Sequence, residues 1–345
     1  MPINVIYFLM SSLLTLRTVS AFAVTDMHTR RSALVSSCHF LISHRSNHQE
    51  SAATRNRYAR FRRRRSRLQM MPTDHDINGS QLIAKDCMKL LSRKGKTWER
   101  LGDIVQLSIS SSNGSETKSS IADIGTDHGL LAIALAATGR YEKVIGADVS
   151  EQALENGALS FYRKVQEALA RDEDSEINDL PVEFRFGNGL SVLDGGEVSE
   201  VAIAGMGVNT MIHILTEDHL SRVGATRLLL QPTNSKPANM ITLHDFLQKS
   251  GFKPQQELLR YISRRWYFTF LFERDADTNP IQSSESFDYL PGDKLRMIDN
   301  DDPMHREFMR YVDHHRQWLD RDLSAKGTLS EEEFRWFNVY GRALQ

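Results

Sequence analysis

Cysteine is nearly absent: the 345 residues hold two, Cys38 and Cys87. Cys38 lies in a stretch read below as a removable leader. The one thiol left excludes an internal disulfide and a multi-cysteine zinc site. The apolar run at 5–16 falls short of the ~20 residues that cross a bilayer comfortably. The dinucleotide turn G-x-G-x-x-G is missing too, which argues against an NAD-dependent oxidoreductase. Acids are scarce in one part only. Residues 1–70 hold twelve arginines, no lysine, and only Asp26 and Glu50, a formal +10. The whole chain sums to −1, so the rest carries −11. The two parts are different objects.

The first 70 residues have the composition of targeting sequence. The short apolar core at 5–16 is followed by small residues, with cleavage expected after Ala21. An Arg-rich, Ser-rich, nearly acid-free stretch follows, as in organelle transit peptides. The order resembles the bipartite plastid presequence of algae with secondary plastids, with Ser20-Ala21-Phe22-Ala23 similar to its junction motif. A mitochondrial presequence is the alternative. The basic block Arg60–Arg67 is expected to belong to this leader rather than to an active site.

Beyond a polar linker at 71–80, apolar spacing predicts a helix over 81–107, with Leu90, Leu91, Trp98, Leu101 and Ile104 on one face. Strands are then expected from Ile121 and over 143–148, 182–186, 200–204 and 227–230. Helices between them are expected at 130–137, 152–170, 209–215 and 240–250. Alternating strands and helices predict an α/β fold with a mainly parallel sheet covered on both faces. The stretches 255–262 and 265–273 alternate as a terminal antiparallel pair. This domain is expected over 80–275. Residues 285–345 are charged and aromatic, and predict a small helical C-terminal region split near Lys326-Gly327.

Ligands of such sheets bind beyond the carboxyl ends of the strands. The turns to inspect are therefore those after each strand. The first reads IADIGTDHGLL over 121–131, with Asp123, Gly125 and Gly129 framing Asp127 and His128. An acidic pair there would repel a pyrophosphate but suits a cationic ligand such as the sulfonium of S-adenosylmethionine. Gly125 and Gly129 allow close backbone approach. Asp148 ends the second strand, where an acid accepts hydrogen bonds from ribose hydroxyls; the bland alternative is a helix cap shared with Ser150. Asn188 and Gly189 lie in a GNGL turn, where Asn can accept from an adenine amine or simply make the turn. Gly205-Met206-Gly207 follows the fourth strand and leaves room for a flat base. Asp127 and His128 are too few to ligate a metal, so none is expected.

Assembled in this order, the motifs resemble those of the bacterial tRNA adenine-N1 methyltransferases that modify position 22. ADIGTDHGLL is similar to ADIGSDHAYLP, GNGL to GDGL, VAIAGMGV to the IAGMGG run, and LLLQPTN to LILQPN. The resemblance covers about 88–275. It implies a class I methyltransferase (Rossmann-like) fold, S-adenosyl-L-methionine as cofactor and tRNA as partner. By position it implies catalytic roles for Asp127, His128, Gly205, Met206 and Gly207. It implies cofactor contacts for Asp123, Gly125, Gly129, Asp148, Asn188 and Gly189, and substrate contacts for Gln231, Pro232 and Asn234. Arg264 and Arg265 are basic candidates for the same substrate. Asn188, Val208 and Thr233 depart from the family pattern, which bears on the acceptor base more than on the donor.

Adenine N1 is unprotonated near neutral pH, so alignment and water exclusion would do most of the work. Asp127 is then expected to stabilise the positive charge that grows on the methylated ring. A methyltransferase for a small molecule or protein fits the acidic surface as an alternative. A non-catalytic S-adenosylmethionine- or RNA-binding scaffold is a second.

Overall fold

The computed structural model describes residues 85–110, 119–171, 179–274 and 289–341. The leader with Cys38 and Arg60–Arg67, the linker at 71–80 and most of the acidic loop at 171–179 lie outside the described residues.

Seven strands form one sheet in the order β3-β2-β1-β4-β5-β7-β6. They are β1 Ser119–Ile124, β2 Tyr141–Asp148, β3 Val182–Phe186, β4 Glu200–Met206, β5 Arg227–Pro232, β6 Phe252–Ile262 and β7 Arg265–Arg274. The first five are mutually parallel. β7 runs antiparallel to β5 and pairs with β6 through a tight hairpin. This is the mainly parallel sheet with a terminal antiparallel pair expected from the alternation of elements, in the class I methyltransferase form that the resemblance implied.

Successive strand residues enter opposite cores, as the two-residue period of a strand requires. Ile121, Val144, Ala202 and Leu229 join one core with helices α1 Lys85–Ser92, α2 Lys96–Ser110, α3 Leu130–Ala136 and α4 Leu159–Leu169. Ala122, Ile145, Ile203 and Leu230 join the other, with α5 Val208–Ile214, α6 Glu217–Val223 and α7 Pro237–Lys249.

Three local features differ from the periodicity. The long N-terminal helix is two helices, broken at a turn through Gly95, whose φ is +56°. The helix after β2 opens with a π-helical stretch, Ala153–Ala158, before α4. A separate α6 precedes β5.

The C-terminal helices are α8 Asp293–Arg296, α9 Pro303–Lys326 and α10 Glu331–Trp336. Asp302 caps α9 by accepting from the Met304 N–H, Pro303 begins it, and Gly327 ends it in a left-handed conformation. Ser330 and Glu333 then make a reciprocal capping box on α10. Expected as an appendage, this part shares the sheet's core. Leu295, Phe308, Tyr311, Leu319, Trp336 and Tyr340 are buried together with Phe268, Phe270 and Phe272 of β7.

Candidate active site

A cavity of about 670 Å³ opens at the carboxyl ends of β1 to β4, within the ~300–1,000 Å³ typical of small-molecule sites. Asp123, Gly125, Asp127, His128, Asp148, Asn188, Gly189, Gly205 and Met206 all line it. Residues more than eighty positions apart meet there because their strands are neighbours.

The turn after β1 is held from three sides. Asp123 is buried, and its Oδ2 accepts from Thr126 Oγ1 at 2.7 Å and from the Ala132 N–H at 3.1 Å. It thereby ties the turn to the start of α3. Burial pushes its carboxyl up to about 7; Asp148 adds to the rise, while the Thr126 and Ala132 hydrogen bonds and the Arg100 guanidinium oppose it. Gly125 has φ +78°, and a Cβ there would lie 2.1 Å from Met206 Cε. The positive φ favours glycine, and a Cβ would also have to push the flexible end of Met206 aside.

Asp148 does two jobs at once. Its Oδ2 accepts from the Asp127 N–H at 2.9 Å and its Oδ1 from the Ser150 N–H at 2.8 Å. Ser150 Oγ, not Asp148, accepts from the Ala153 N–H at the following helix. Each Asp148 oxygen keeps a second lone pair for a ligand hydroxyl. Asp127 itself has φ +50°, a left-handed conformation that Asp tolerates better than most residues. The bond to Asp148 holds it there. Asp127 and His128 side chains are 69% and 63% exposed, 3.8 Å apart, at the open rim.

Other expected residues sit elsewhere. Gly129 starts α3 and does not line the cavity; a Cβ on it would meet Ala158 Cβ at 2.9 Å, so it serves packing. Gly207 precedes α5 outside the cavity lining. Gln231 and Pro232, expected to touch substrate, are buried and line no part of the cavity. Gln231 lies on the α2 side of the sheet, where its Oε1 accepts from Arg100 Nη1 at 3.1 Å. Its Nε2 donates to the Arg100 carbonyl at 2.9 Å and to Thr269 Oγ1 at 2.6 Å. Asn234 Oδ1 accepts from the Lys236 N–H just before α7. Arg264 and Arg265 are exposed at the β6–β7 hairpin tip, away from the cavity lining.

Lys94, Thr97, Arg100 and Leu101, from the break after α1 and from α2, close the cavity's other side. Sequence reasoning passed over them because a charge inside an amphipathic helix reads as solvated surface. It also passed over Gly157, in the π-helical stretch, where a Cβ would lie 2.3 Å from His128 Nδ1.

The donor set fits a nucleoside with a cationic or zwitterionic extension. A carboxylate stands at the end of β2, a glycine turn leaves backbone space beside β1, and acids and one guanidinium face the interior. No group of three or more metal-ligating side chains occurs among the described residues.

Residues 108–270 match the family model described as a methyltransferase domain. Over 167 residues the chain is 28% identical to the tRNA (adenine(22)-N(1))-methyltransferase of Bacillus subtilis. That alignment spans 48% of this chain and 63% of the relative, so about a third of the relative has no counterpart in it. Among solved structures, Streptococcus pneumoniae Sp1610, described as a tRNA (m1A22) methyltransferase and bound to S-adenosyl-L-methionine, superposes with a TM-score of 0.50 at 21% identity. The match covers 70% of this chain and 98% of that one. The m1A22 tRNA methyltransferase of B. subtilis follows with a TM-score of 0.45 at 18% identity, over 71% and 94%. At 21% identity the likeness to the S. pneumoniae protein concerns the fold.

Proposed function

We propose that this chain is an S-adenosyl-L-methionine-dependent methyltransferase that acts on N1 of an adenine in tRNA, of the position-22 type. The observation that carries the reading is the cavity itself. Turns of the four strands β1 to β4 meet around it, and those after β1, β3 and β4 carry motifs similar to that family. The methyltransferase-domain match over 108–270 and the B. subtilis relative support the same reading.

When bound, the cofactor supplies an electrophilic methyl group on a positively charged sulfur. The chain's residues do the rest. Asp148 would take the ribose hydroxyls on its free lone pairs, and Asn188 stands beside it for the base. Gly125 and Met206 shape the floor where sulfur and acceptor must align. Adenine N1 already carries the attacking lone pair, so no side chain has to remove a proton first. Asp127, held by Asp148 at the rim, would stabilise the positive charge that grows on a methylated ring.

The leader composition supports import into a plastid, with mitochondrion as the alternative; a fluorescent fusion of residues 1–70 distinguishes them. The catalytic reading is tested by incubating the full chain with methyl-labelled S-adenosylmethionine and tRNA, then mapping the labelled base. Label on adenine N1 at position 22 is expected. Label on protein or small molecules, or cofactor binding with no transfer to any RNA, would reject it.

A further inference from the structure

The sheet edge that holds the cavity continues past it. β7 runs antiparallel to β5, with Leu230 opposite Phe270. Pro232 ends β5 two residues on and is level with Phe268, so Arg265 stands three residues higher, roughly 10 Å at ~3.4 Å per residue. The β6–β7 hairpin thus rises above the carboxyl ends of the parallel strands. It is two strands from β4, or ~10 Å from the cavity's Met206 side.

The hairpin tip presents charge. Ile262 pairs with Arg265, so Ser263 and Arg264 form a two-residue loop. Both have positive φ, +52° and +67°. Such a loop ordinarily takes Asn-Gly, Asp-Gly or Gly-Gly. Here two residues with side chains occupy it, and Arg264 and Arg265 are exposed side by side. Neither makes an ion pair among the described residues, whereas Arg185, Arg227 and Arg260 are each held by a carboxylate.

More cations lie between the tip and the cavity. Tyr261 and Trp266 face each other across the hairpin, with ring centroids 4.7 Å apart. Arg310 of α9 lies over the Tyr261 ring at 5.3 Å. The neighbouring acid, Glu307, is engaged by Arg310 at 2.6 Å and by Trp266 Nε1 at 2.8 Å. Lys236, exposed just before α7, lies 5.4 Å over the Trp318 ring of α9. Its segment starts at the cavity, where the Thr233 N–H donates to the Met206 carbonyl at 2.9 Å. It reaches α9 where the Tyr311 hydroxyl donates to the Ser235 carbonyl at 2.6 Å. Cations set on aromatic rings therefore form one ledge from the cavity's β4 side to the hairpin tip. They do so in a chain that is net acidic outside its first 70 residues.

Resting on the reading of this cavity as a tRNA methylation site, we propose that this ledge, from Lys236 through Arg310 to Arg264 and Arg265, binds the sugar-phosphate backbone on one side of the target base. Every nucleotide carries a phosphate, so a base held beside Met206 leaves its neighbours' phosphates within reach of the ledge. Contacts of this kind set the position of the RNA and read no sequence. The rings hold Arg310 and Lys236 in place by cation–π attraction.

The test measures tRNA affinity of the full chain across salt concentrations, with S-adenosylhomocysteine affinity measured by calorimetry without RNA. Arg264→Gly combined with Arg265→Gln should weaken tRNA binding about tenfold at ~0.1 M salt and reduce the slope of log affinity against log salt by about 2. S-adenosylhomocysteine affinity should not change. Arg264→Gly alone should melt no lower than wild type, because glycine adopts a left-handed backbone freely, yet bind tRNA more weakly. Arg163→Gln combined with Lys164→Gln, the same charge change at exposed positions of α4, should leave tRNA affinity nearly unchanged. An equal loss in that control, or unchanged affinity and slope in the hairpin variant, would overturn the ledge and leave the methylation reading standing. So would a hairpin variant that loses binding to phosphatidylserine vesicles while keeping tRNA, which would put a membrane there. Wild type that neither binds tRNA nor transfers methyl to it would overturn the reading of the cavity, and the ledge with it.

Discussion

At the scale of the residue, Asp148 and Asp127 form one unit with divisible duties. The Asp148 carboxylate holds the Asp127 N–H at 2.9 Å and the Ser150 N–H at 2.8 Å, so it preforms the turn before any ligand arrives. Replacing it would remove the brace and, with it, the proposed ribose acceptor. Asp148→Ala should therefore weaken S-adenosylhomocysteine binding about tenfold or more in calorimetry; unchanged affinity would contradict the assignment. Asp127 has the opposite profile. Its side chain is 69% exposed, so solvent screens it and its electrostatic contribution should fall below the ~10²–10³-fold of an enclosed donor. Asp127→Asn should lower kcat by about tenfold with cofactor affinity nearly intact. Equal losses in both quantities would remove it from the chemistry.

At the scale of the element, what was legible in the sequence is what local patterns control. Asp123, Asp148, Asn188 and Gly205 lie at or just past strand ends, and strand ends follow from apolar runs and glycine turns. Arg100 and Gln231 were not legible in their roles. Arg100 sits between Trp98 and Leu101 in an amphipathic helix, and its neighbours there say nothing of β5 beneath it. Gln231 ends a parallel strand as a ligand residue would, but its face of the strand turns toward α2. Gly157 lies inside the helix expected over 152–170, where nothing local singles it out. Its meaning depends on His128, whose Nδ1 would be 2.3 Å and Cα 3.2 Å from an added Cβ. The surrounding π-helical stretch is a device that recurs near functional sites. Gly157→Ala should gain helix propensity, up to ~1 kcal/mol, while pushing His128 out of place. The expected variant is as stable as wild type in thermal melts but several-fold slower in methyl transfer; full activity would show that His128 needs no such space.

At the scale of the molecule, the sheet and the C-terminal helices are one folding unit, and a buried carboxyl marks the seam. Glu257 on β6 is buried, and both its oxygens accept from the Gly292 N–H, at 3.1 and 3.0 Å. That bond ties β6 to the segment entering α8, whose Asp293 in turn accepts from the Tyr340 hydroxyl near the described C-terminal end. Burial raises the Glu257 carboxyl from an ordinary 4.5 to about 8, with Asp293 adding to the rise and the Gly292 and Lys294 N–H groups opposing it. The sign of the linkage follows. The unfolded chain releases this proton near 4.5 and the folded chain near 8, so the folded state binds more protons between them. Stability from the neutral carboxyl is complete below 4.5 and declines as pH rises through 8. Glutamine keeps one acceptor for Gly292 and has no proton to lose. Other buried groups also titrate, among them Asp123 and His244, but distant effects are common to both proteins and cancel in the difference. Glu257→Gln should therefore gain in Tm relative to wild type as pH goes from 5 to 9, with coincident tryptophan and far-ultraviolet transitions, because Trp336 in the C-terminal helices and the sheet unfold together. Parallel Tm-against-pH curves for the two proteins would mean that Glu257 is ionised in the folded state and that the seam is held by charge.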